Sequence, residues 1–427
     1  MLEDRKYNII ILNHHAQTPD QGGGVRHYEL AKALSESGHK VSVVASSYEN
    51  ATREYYSPEN TSIQQINDNF NFIRLKTTPA YASTFGRLIN CYDYMLRASI
   101  LDCFGCRPDV VIASSVHPLA WVAGYRLSRK YDAKFIVEVR DLWPLGLHED
   151  FEGILRALVF KYLEGLESKY YNAADAIVTT APFAYEYIEE KYGIRRDKIY
   201  HIPHGLDIDE FDSSASLSEE ILDPGLCKVL DSYFCVTYTG SLSRSEGLST
   251  FVQSAKYLKD LSDVKLVIVG SGNIQEQLER IVDEEDLSNV FMLPVQPRGS
   301  IPLTLKKSEI LFCGLIDRKV FEYGISKNKF YDYMAAIKPI VFASSVRGSL
   351  IDIAECGITT KPGDPEEIAN AIRYIHNNID TVGKDYGTNG RIYVEQYHTV
   401  ERIAEQFLEV IQSCFVSDPI EDSNVRR

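Results

Sequence analysis

Tyr7-Asn8-Ile9-Ile10-Ile11-Leu12-Asn13, then Gly22-Gly23-Gly24, then Val25-Arg26-His27-Tyr28-Glu29-Leu30-Ala31-Lys32-Ala33-Leu34, then Gly38-His39 ahead of Val41-Ser42-Val43-Val44: this order decides the fold. The first run is short, apolar and β-branched, as a buried strand is. The third repeats apolar residues at helical spacing, and Gly38 ends it before a second β-type run. Strand, glycine loop, helix, strand is the opening of a βαβ unit. Glycine lets backbone N–H groups approach a ligand, and a helix N-terminus favours an anion. Gly22, Gly23 and Gly24 are therefore candidate ligand contacts. The same residues would also serve a long loop that needs positive φ.

The alternation continues outward from this unit. Strand-like runs fall at 7–12, 41–45, about 71–75, 109–113, 134–139, 175–179 and 199–202, with amphipathic stretches between them. A second series starts at Tyr233–Thr239 and continues at 264–269, 290–293, 310–313 and 339–342. That is the pattern of an α/β fold with two doubly wound, Rossmann-like parallel sheets. The spacing predicts a first lobe over 1–205, an irregular polar linker over 206–232 and a second lobe over 233–385. Helices over 386–416 would pack back toward the first lobe, and the polar tail 417–427 would be disordered. Ligands of such sheets bind at the carboxyl ends of the strands, so the two lobes would face a cleft that holds the chemistry.

Bulk properties narrow the function. A chain of 427 residues, 44% of them hydrophobic, can bury two cores. Its net charge of −15, from 45 basic against 60 acidic residues, argues against a nucleic-acid partner, which needs a basic face. Eight cysteines are scattered, several within apolar runs as buried free thiols would be; Cys103-Phe104-Gly105-Cys106 is the only C-x-x-C. With no second such pair, no metal site is expected. The N-terminus is too short for a signal peptide, and no apolar stretch nears the roughly 20 residues that span a bilayer. A soluble, cytoplasmic protein is expected, at the inner face of the membrane if it meets lipid.

Chemistry-bearing residues follow strands. In Tyr238-Thr239-Gly240-Ser241-Leu242-Ser243-Arg244-Ser245-Glu246-Gly247-Leu248, Gly240 closes a strand, so its loop can wrap a phosphate, and Arg244 offers a forked donor for one. Gly270-Ser271-Gly272 again joins strand to helix. A G-x-G without a third glycine, and without an acidic residue closing a following strand, does not read as an NAD site. In Gly324-Ile325-Ser326-Lys327-Asn328-Lys329-Phe330-Tyr331-Asp332, Ser326 would cap a helix. Lys327, Asn328 and Lys329 lie in its first turn, an anion site, and Asp332 stands one turn on from Asn328, placed for sugar hydroxyls. In the first lobe His117 follows Val110–Ser115, where it could serve a developing charge or remain structural. Arg140 and Asp141 end Phe135–Val139, free to meet a ligand or each other.

Residues 81–104 form an apolar helical stripe with Arg87, Asn90, Asp93 and Arg97 opposite. Such a stripe usually faces a core, yet its aromatic residues and two arginines would also suit a peripheral contact with lipid headgroups.

Taken in order, these stretches resemble glycosyltransferase family 4, retaining enzymes of the two-lobed GT-B fold. The resemblance runs from about residue 7 to residue 375. It rests on Gly22–Gly24 with Gly38-His39-Lys40-Val41, Arg140-Asp141-Leu142-Trp143-Pro144 and Pro203-His204-Gly205-Leu206-Asp207. In the second lobe it rests on Tyr238-Thr239-Gly240 with Gly247-Leu248, Gly270-Ser271-Gly272, and Lys329-Phe330-Tyr331-Asp332 leading to Lys338-Pro339. The resemblance implies a nucleotide-sugar donor on the second lobe, UDP-sugar before GDP-sugar, and a glycolipid or oligosaccharide acceptor on the first. Arg244 would then meet the pyrophosphate, Asp332 the ribose and His117 the donor sugar, and Lys329 would help stabilise the leaving diphosphate. No metal or other cofactor is implied, because helix N-termini and cations carry that charge; Asp207-Ile208-Asp209 has the D-x-D form but lies outside the fold that uses it.

Two positions depart from the family pattern. Glu246 stands where a lysine is usual, and Gly324 where the first of two glutamates spaced as E-x7-E would fall, with Asp332 at the second; Lys327 or Lys329 would replace the lost positive charge. Members with a similar Ser-x-Asn-Lys stretch build bacterial surface polysaccharides such as O-antigen or lipopolysaccharide, often from amino or deoxy sugars. The resemblance therefore implies a retaining transferase of this kind. A nucleotide-sugar 2-epimerase on the same fold, or an inactive nucleotide-sugar-binding partner subunit, are the alternatives.

Overall fold

A computed structural model describes residues 5–22, 24–49, 53–80, 84–102, 107–115, 117–147 and 153–416. Gly23, the Cys103–Cys106 pair and the tail from 417 lie outside the described residues. The chain divides into two compact units, Met1–Pro203 with Val400–Arg427, and His204–Thr399.

In the first unit the apolar runs form β1 (Asn8–Leu12), β2 (Lys40–Ser46), β3 (Thr61–Asn67), β4 (Phe70–Leu75), β5 (Val110–Ser114), β6 (Lys134–Val139), β7 (Ala176–Thr179) and β8 (Ile199–His201). They lie in the order β3-β4-β2-β1-β5-β6-β7-β8. Ile9 stands opposite Val41 on one side and Val110 on the other, both pairings parallel. The strand order turns back at β1 and β5, so their carboxyl ends flank the crevice that such sheets use for ligands. β3, antiparallel to β4, escapes the sequence reading because it is an exposed, polar edge with no apolar run.

The second unit carries β9 (Phe234–Thr239), β10 (Val264–Val269), β11 (Val290–Leu293), β12 (Ile310–Gly314), β13 (Ile340–Ala343) and β14 (Gly357–Thr360). All run parallel in the order β11-β10-β9-β12-β13-β14, and the order turns back at β9 and β12. Both units are thus Rossmann-like sheets wrapped in helices. Their cores are the expected strand residues, Ile9, Ile11, Val43 and Ile112 in the first and Val236, Leu266, Ile268 and Phe312 in the second.

Residues 206–232 are not an irregular linker. Two helices, Ile208–Ala215 and Pro224–Ser232, form there as part of the second unit. The polar residues that suggested irregularity are their caps: Asp207 accepts from the Glu210 N–H at 2.9 Å, and Asp223 from Gly225 and Leu226 at 2.9 and 3.1 Å. Asp207 of the D-x-D stretch is therefore a helix cap. Beyond it, helix Lys384–Tyr397 belongs to the second unit, and helix Val400–Ser413 to the first, where Val400, Ile403, Phe407 and Ile411 join the core around Leu30 and Leu34.

Helix Thr84–Ser99 leaves most of its apolar stripe uncovered. Asn90, Tyr94, Met95 and Ala98 face inward, and Asn90 reaches the Thr77 hydroxyl at 2.8 Å. Leu88, Ile89, Tyr92, Leu96 and Ile100 stand exposed, Ile100 at 76%. Among the described residues, no helix is long and apolar enough to cross a membrane.

Candidate functional site

In the second unit, the loops after β9 and β10 meet through their glycines. Gly270 adopts φ +155°, and a Cβ there would sit 1.9 Å from the Gly240 carbonyl oxygen. Only glycine permits this approach, and Gly272 stands against Leu242 in the same way. The β9 loop carries Arg244, exposed on a short turn of 3-10 helix over Arg244–Glu246.

Helix Asn328–Ala335 brings its first turn to this loop. Lys329 Nζ lies 3.0 Å from the Tyr238 hydroxyl and 2.8 Å from Glu246 Oε2, and Lys327 Nζ lies 2.6 Å from Glu246 Oε1. Lys329 also sits over the Tyr238 ring, 4.1 Å from its centroid, and beside Gly240. Burial pushes the Glu246 carboxyl up, but Lys329 and Lys327 more than offset it and hold it below its ordinary range. Glu246 therefore does not leave this corner negative: two ammonium groups around one carboxylate carry a net charge of +1, the charge expected of the lysine it replaces.

One turn on, half-buried Asp332 is pushed up to about 6 by burial, with the Arg298 guanidinium and Lys329 acting the other way. Arg298 had no signal in the sequence beyond its charge. Ser326 is not the helix cap. Lys327 holds that position with no side-chain bond to the helix backbone, and the Ser326 hydroxyl instead contacts the Tyr331 hydroxyl at 2.9 Å and accepts from the His204 N–H at 3.2 Å.

In the first unit, His117 follows β5 and His14 follows β1, the two strands at the turn of the order. His14 Nδ1 and His117 Nε2 are 2.7 Å apart, so one ring nitrogen donates to the other. His14 is sandwiched between His15 and Tyr94, with centroids 4.3 and 4.5 Å away. Burial drives these imidazoles to the neutral form, His117 to about 3 and His15 to about 4. His14 and His15 went unread; two histidines directly after a strand were the signal.

The glycine loop folds onto the segment after β1. The Gly24 N–H donates to Gln17 Oε1 at 3.0 Å, and a Cβ on Gly24 would stand 2.8 Å from the His15 carbonyl oxygen. Its helix, Arg26–Glu36, then begins with a buried ion cluster: Arg26 and His27 reach the Glu138 carboxylate at 2.9 and 2.7 Å. The Arg26 guanidinium also donates to the Pro203 and Ile202 carbonyls at 2.6 and 3.1 Å, tying β6 to the end of the unit. A carboxylate within the apolar run Phe135–Val139 was the visible sign of this cluster. Arg140 and Asp141 lie just beyond it. The Arg140 N–H donates to the Ser115 hydroxyl at 3.0 Å, its buried Nε has no hydrogen-bond partner among the described residues, and Asp141 is exposed.

Among the described residues, two groups bring three metal-type ligand atoms within 4.8 Å of one another: His14, Cys91 and His117, and Glu219, Cys227 and Asp231. Neither fits an ion as it stands. The two imidazoles are closer than the roughly 3.3 Å that separates nitrogens on one zinc. Lys307 occupies both carboxylates of the second group, at 2.5 and 2.6 Å.

Residues 21–210 match the family model Glycosyltransferase Family 4, and residues 234–378 match the model Glycosyl transferases group 1. The chain is 21% identical to the Escherichia coli (strain K12) protein WcaI, whose name assigns it to colanic acid biosynthesis as a glycosyl transferase; the match covers 90% of this chain and 94% of that one. Among solved structures, a Rickettsia africae glycosyltransferase superposes with TM-score 0.68 at 18% identity, covering 97% of this chain and all of that one. The Anabaena protein Alr3699/HepE, solved with UDP, gives TM-score 0.65 at 16% identity over 95% of this chain and all of that one. WaaG, a glycosyltransferase involved in lipopolysaccharide biosynthesis, gives 0.63 at 13% identity over 94% and 99%. These likenesses place both lobes in the GT-B fold.

Proposed function

Because the chain belongs to glycosyltransferase family 4, we propose that it is a retaining transferase that moves a sugar from a UDP-sugar donor to a lipid-linked oligosaccharide or polysaccharide acceptor. One observation carries the donor side: Lys327 and Lys329 gathered on Glu246, against the Gly240 loop and one turn from Asp332. A diphosphate at this loop would meet Lys329 and Arg244, and Asp332 would accept from ribose hydroxyls. The bond from the sugar's anomeric carbon to the phosphate oxygen breaks with its electron pair leaving on UDP. The fixed cations and helix-end amides stabilise that charge as it develops, a role that asks for no metal. The acceptor hydroxyl bonds the anomeric carbon on the face the phosphate left and passes its proton to the departing diphosphate oxygen, which has gained the electron pair. His117, kept neutral, is suited to hydrogen-bonding the sugar rather than to supplying charge. UDP binding by the structurally similar Anabaena protein supports uridine over guanosine, and the name of WcaI supports an acceptor on the way to a surface polysaccharide.

The exposed face of helix Thr84–Ser99 is the proposed membrane contact. Leu88, Leu96 and Ile100 adjoin the exposed Leu158 and Tyr162 of a neighbouring helix through the Tyr92 and Tyr162 hydroxyls, 3.0 Å apart. Exposed Arg87 and Lys161 supply positive charge in a chain of net −15.

Incubating the purified protein with UDP- and GDP-sugars, with and without glycolipid, tests the reading. UDP release that needs the acceptor, with retained anomeric configuration in the product, supports it. An altered sugar without acceptor would instead identify an epimerase, and binding without turnover a partner subunit.

A further inference from the structure

A polar cavity lies in the first unit, beside the His14–His117 contact. It measures about 180 Å³, and its lining includes His14, His15, Gln17, Tyr48, Glu49 and Tyr56. Glu49 is its one lining carboxylate. Gln17 Nε2 donates to Glu49 Oε2 at 2.7 Å, and the Tyr56 hydroxyl donates to the same oxygen. Gln17 turns its other end to the glycine loop, accepting from the Gly24 N–H at 3.0 Å. Arg74 stands behind the wall, 4.4 Å from the Tyr56 ring centroid and bonded to Gln21. Two tyrosines beside planar amide, carboxylate and imidazole groups are the furniture that holds a pyranose: a flat wall for its C–H face and bidentate acceptors for neighbouring hydroxyls.

We infer that this cavity is the subsite for one neutral sugar ring of the acceptor, with Glu49 accepting from its vicinal hydroxyls and Tyr48 and Tyr56 forming the wall. The inference rests on reading the first unit as acceptor-binding. It adds a specificity: Glu49 is the one charged side chain on the lining itself, while the Arg74 guanidinium stands behind Tyr56. Uronic acids and phosphorylated sugars, which bring a second anion against the Glu49 carboxylate, bind there more weakly than neutral rings. Gln17 is a positioning residue, coupling the occupied cavity to the glycine loop.

Saturation-transfer NMR with methyl glucoside, methyl galactoside and methyl N-acetylglucosaminide, against methyl glucuronide, tests this on the full chain. UDP is titrated into the same samples. At least one neutral glycoside should bind, and the glucuronide at least about tenfold more weakly. Glu49→Gln should weaken binding of the neutral ring by about tenfold, the loss of a charged hydrogen-bond acceptor, with UDP affinity unchanged. Tyr56→Phe, which keeps the ring, should weaken it less and serves where Glu49→Gln fails to fold. UDP binding with no glycoside binding, equal binding of the glucuronide, or glycoside binding untouched by both variants would each overturn the subsite while leaving the transferase reading intact. Failure to bind either UDP or glycosides would overturn both.

Discussion

Lys329 Nζ stands 2.8 Å from Glu246 Oε2, and through that contact a helix beginning at Asn328 is held against the loop that follows β9. Both side chains are largely withdrawn from water, 18% and 13% exposed, so losing one strands the other. Lys329→Ala should lower unfolding free energy by about 2 kcal/mol and weaken UDP binding at least about tenfold. Lys329→Ala combined with Glu246→Ala should recover most of the stability and none of the UDP affinity. Denaturant melts and UDP titrations on the four proteins of the cycle read both, and recovery of affinity in the double variant would count against a phosphate role.

The touching loops after β9 and β10 make Gly270 a site where one methyl group matters. Gly270→Ala would force a Cβ into the Gly240 carbonyl at a φ of +155°. It should cost about 2 kcal/mol or more and weaken UDP binding by about tenfold. Gly299→Ala, where a Cβ meets nothing within 4 Å, is the matched control and should change neither.

Asp332 gives the donor site a pH dependence. Its carboxyl is pushed up to about 6, so it gains a proton as pH falls through that value. An ionised carboxylate accepts from ribose hydroxyls more strongly than a protonated one, so UDP affinity should rise about fivefold from about pH 5 to about pH 7. Asp332→Asn should bind UDP with the affinity of the low-pH protein at both pH values, as calorimetry would show. His117, neutral down to about 3, should add no inflection to the transfer rate over this range.

On the outer face of helix Thr84–Ser99, a pair of charges should separate membrane contact from chemistry. Leu96→Glu with Ile100→Glu changes two residues that are 53% and 76% exposed, so folding should be unaffected. Co-sedimentation with vesicles containing phosphatidylglycerol should fall at least about tenfold, while UDP affinity stays constant. Unchanged sedimentation would remove this face as the lipid contact.

The paired sheets were legible because buried parallel strands must be apolar throughout, and runs such as Ile9–Leu12 and Val264–Val269 leave no alternative. Exposed polar β3 carried no such mark. The caps Asp207 and Asp223 looked like loop residues because a cap and a turn use the same side chains. Position along the chain located Gly240, Lys329 and Asp332 on one loop and helix, and pointed to Lys327 or Lys329 as the replacement for the charge lost at Glu246. Only folding shows that both lysines gather on that carboxylate. Helix 84–99 was left with two readings for a related reason: hydropathy shows that one face is apolar, and cannot show which face the neighbouring helices cover.

Glu167 is buried beneath three tyrosines, with the Tyr171, Tyr187 and Tyr192 hydroxyls donating to it, the first two at 2.8 and 3.2 Å. Burial outweighs these bonds and pushes its carboxyl from 4.5 to about 7. Between those values the folded protein holds a proton that the unfolded chain has released, so the contribution to stability is complete below about pH 4.5 and is lost as pH rises toward 7. A shift of this size corresponds to about 3 kcal/mol. Urea denaturation of the wild type should therefore include a fall of that order across this window. In Glu167→Gln, which keeps an acceptor for the phenols and cannot ionise, the first unit should be more stable than wild type near pH 8. Its stability should also lack this part of the pH slope. An identical slope in both proteins would show that Glu167 is ionised in the folded state throughout, its charge carried by the three hydroxyls.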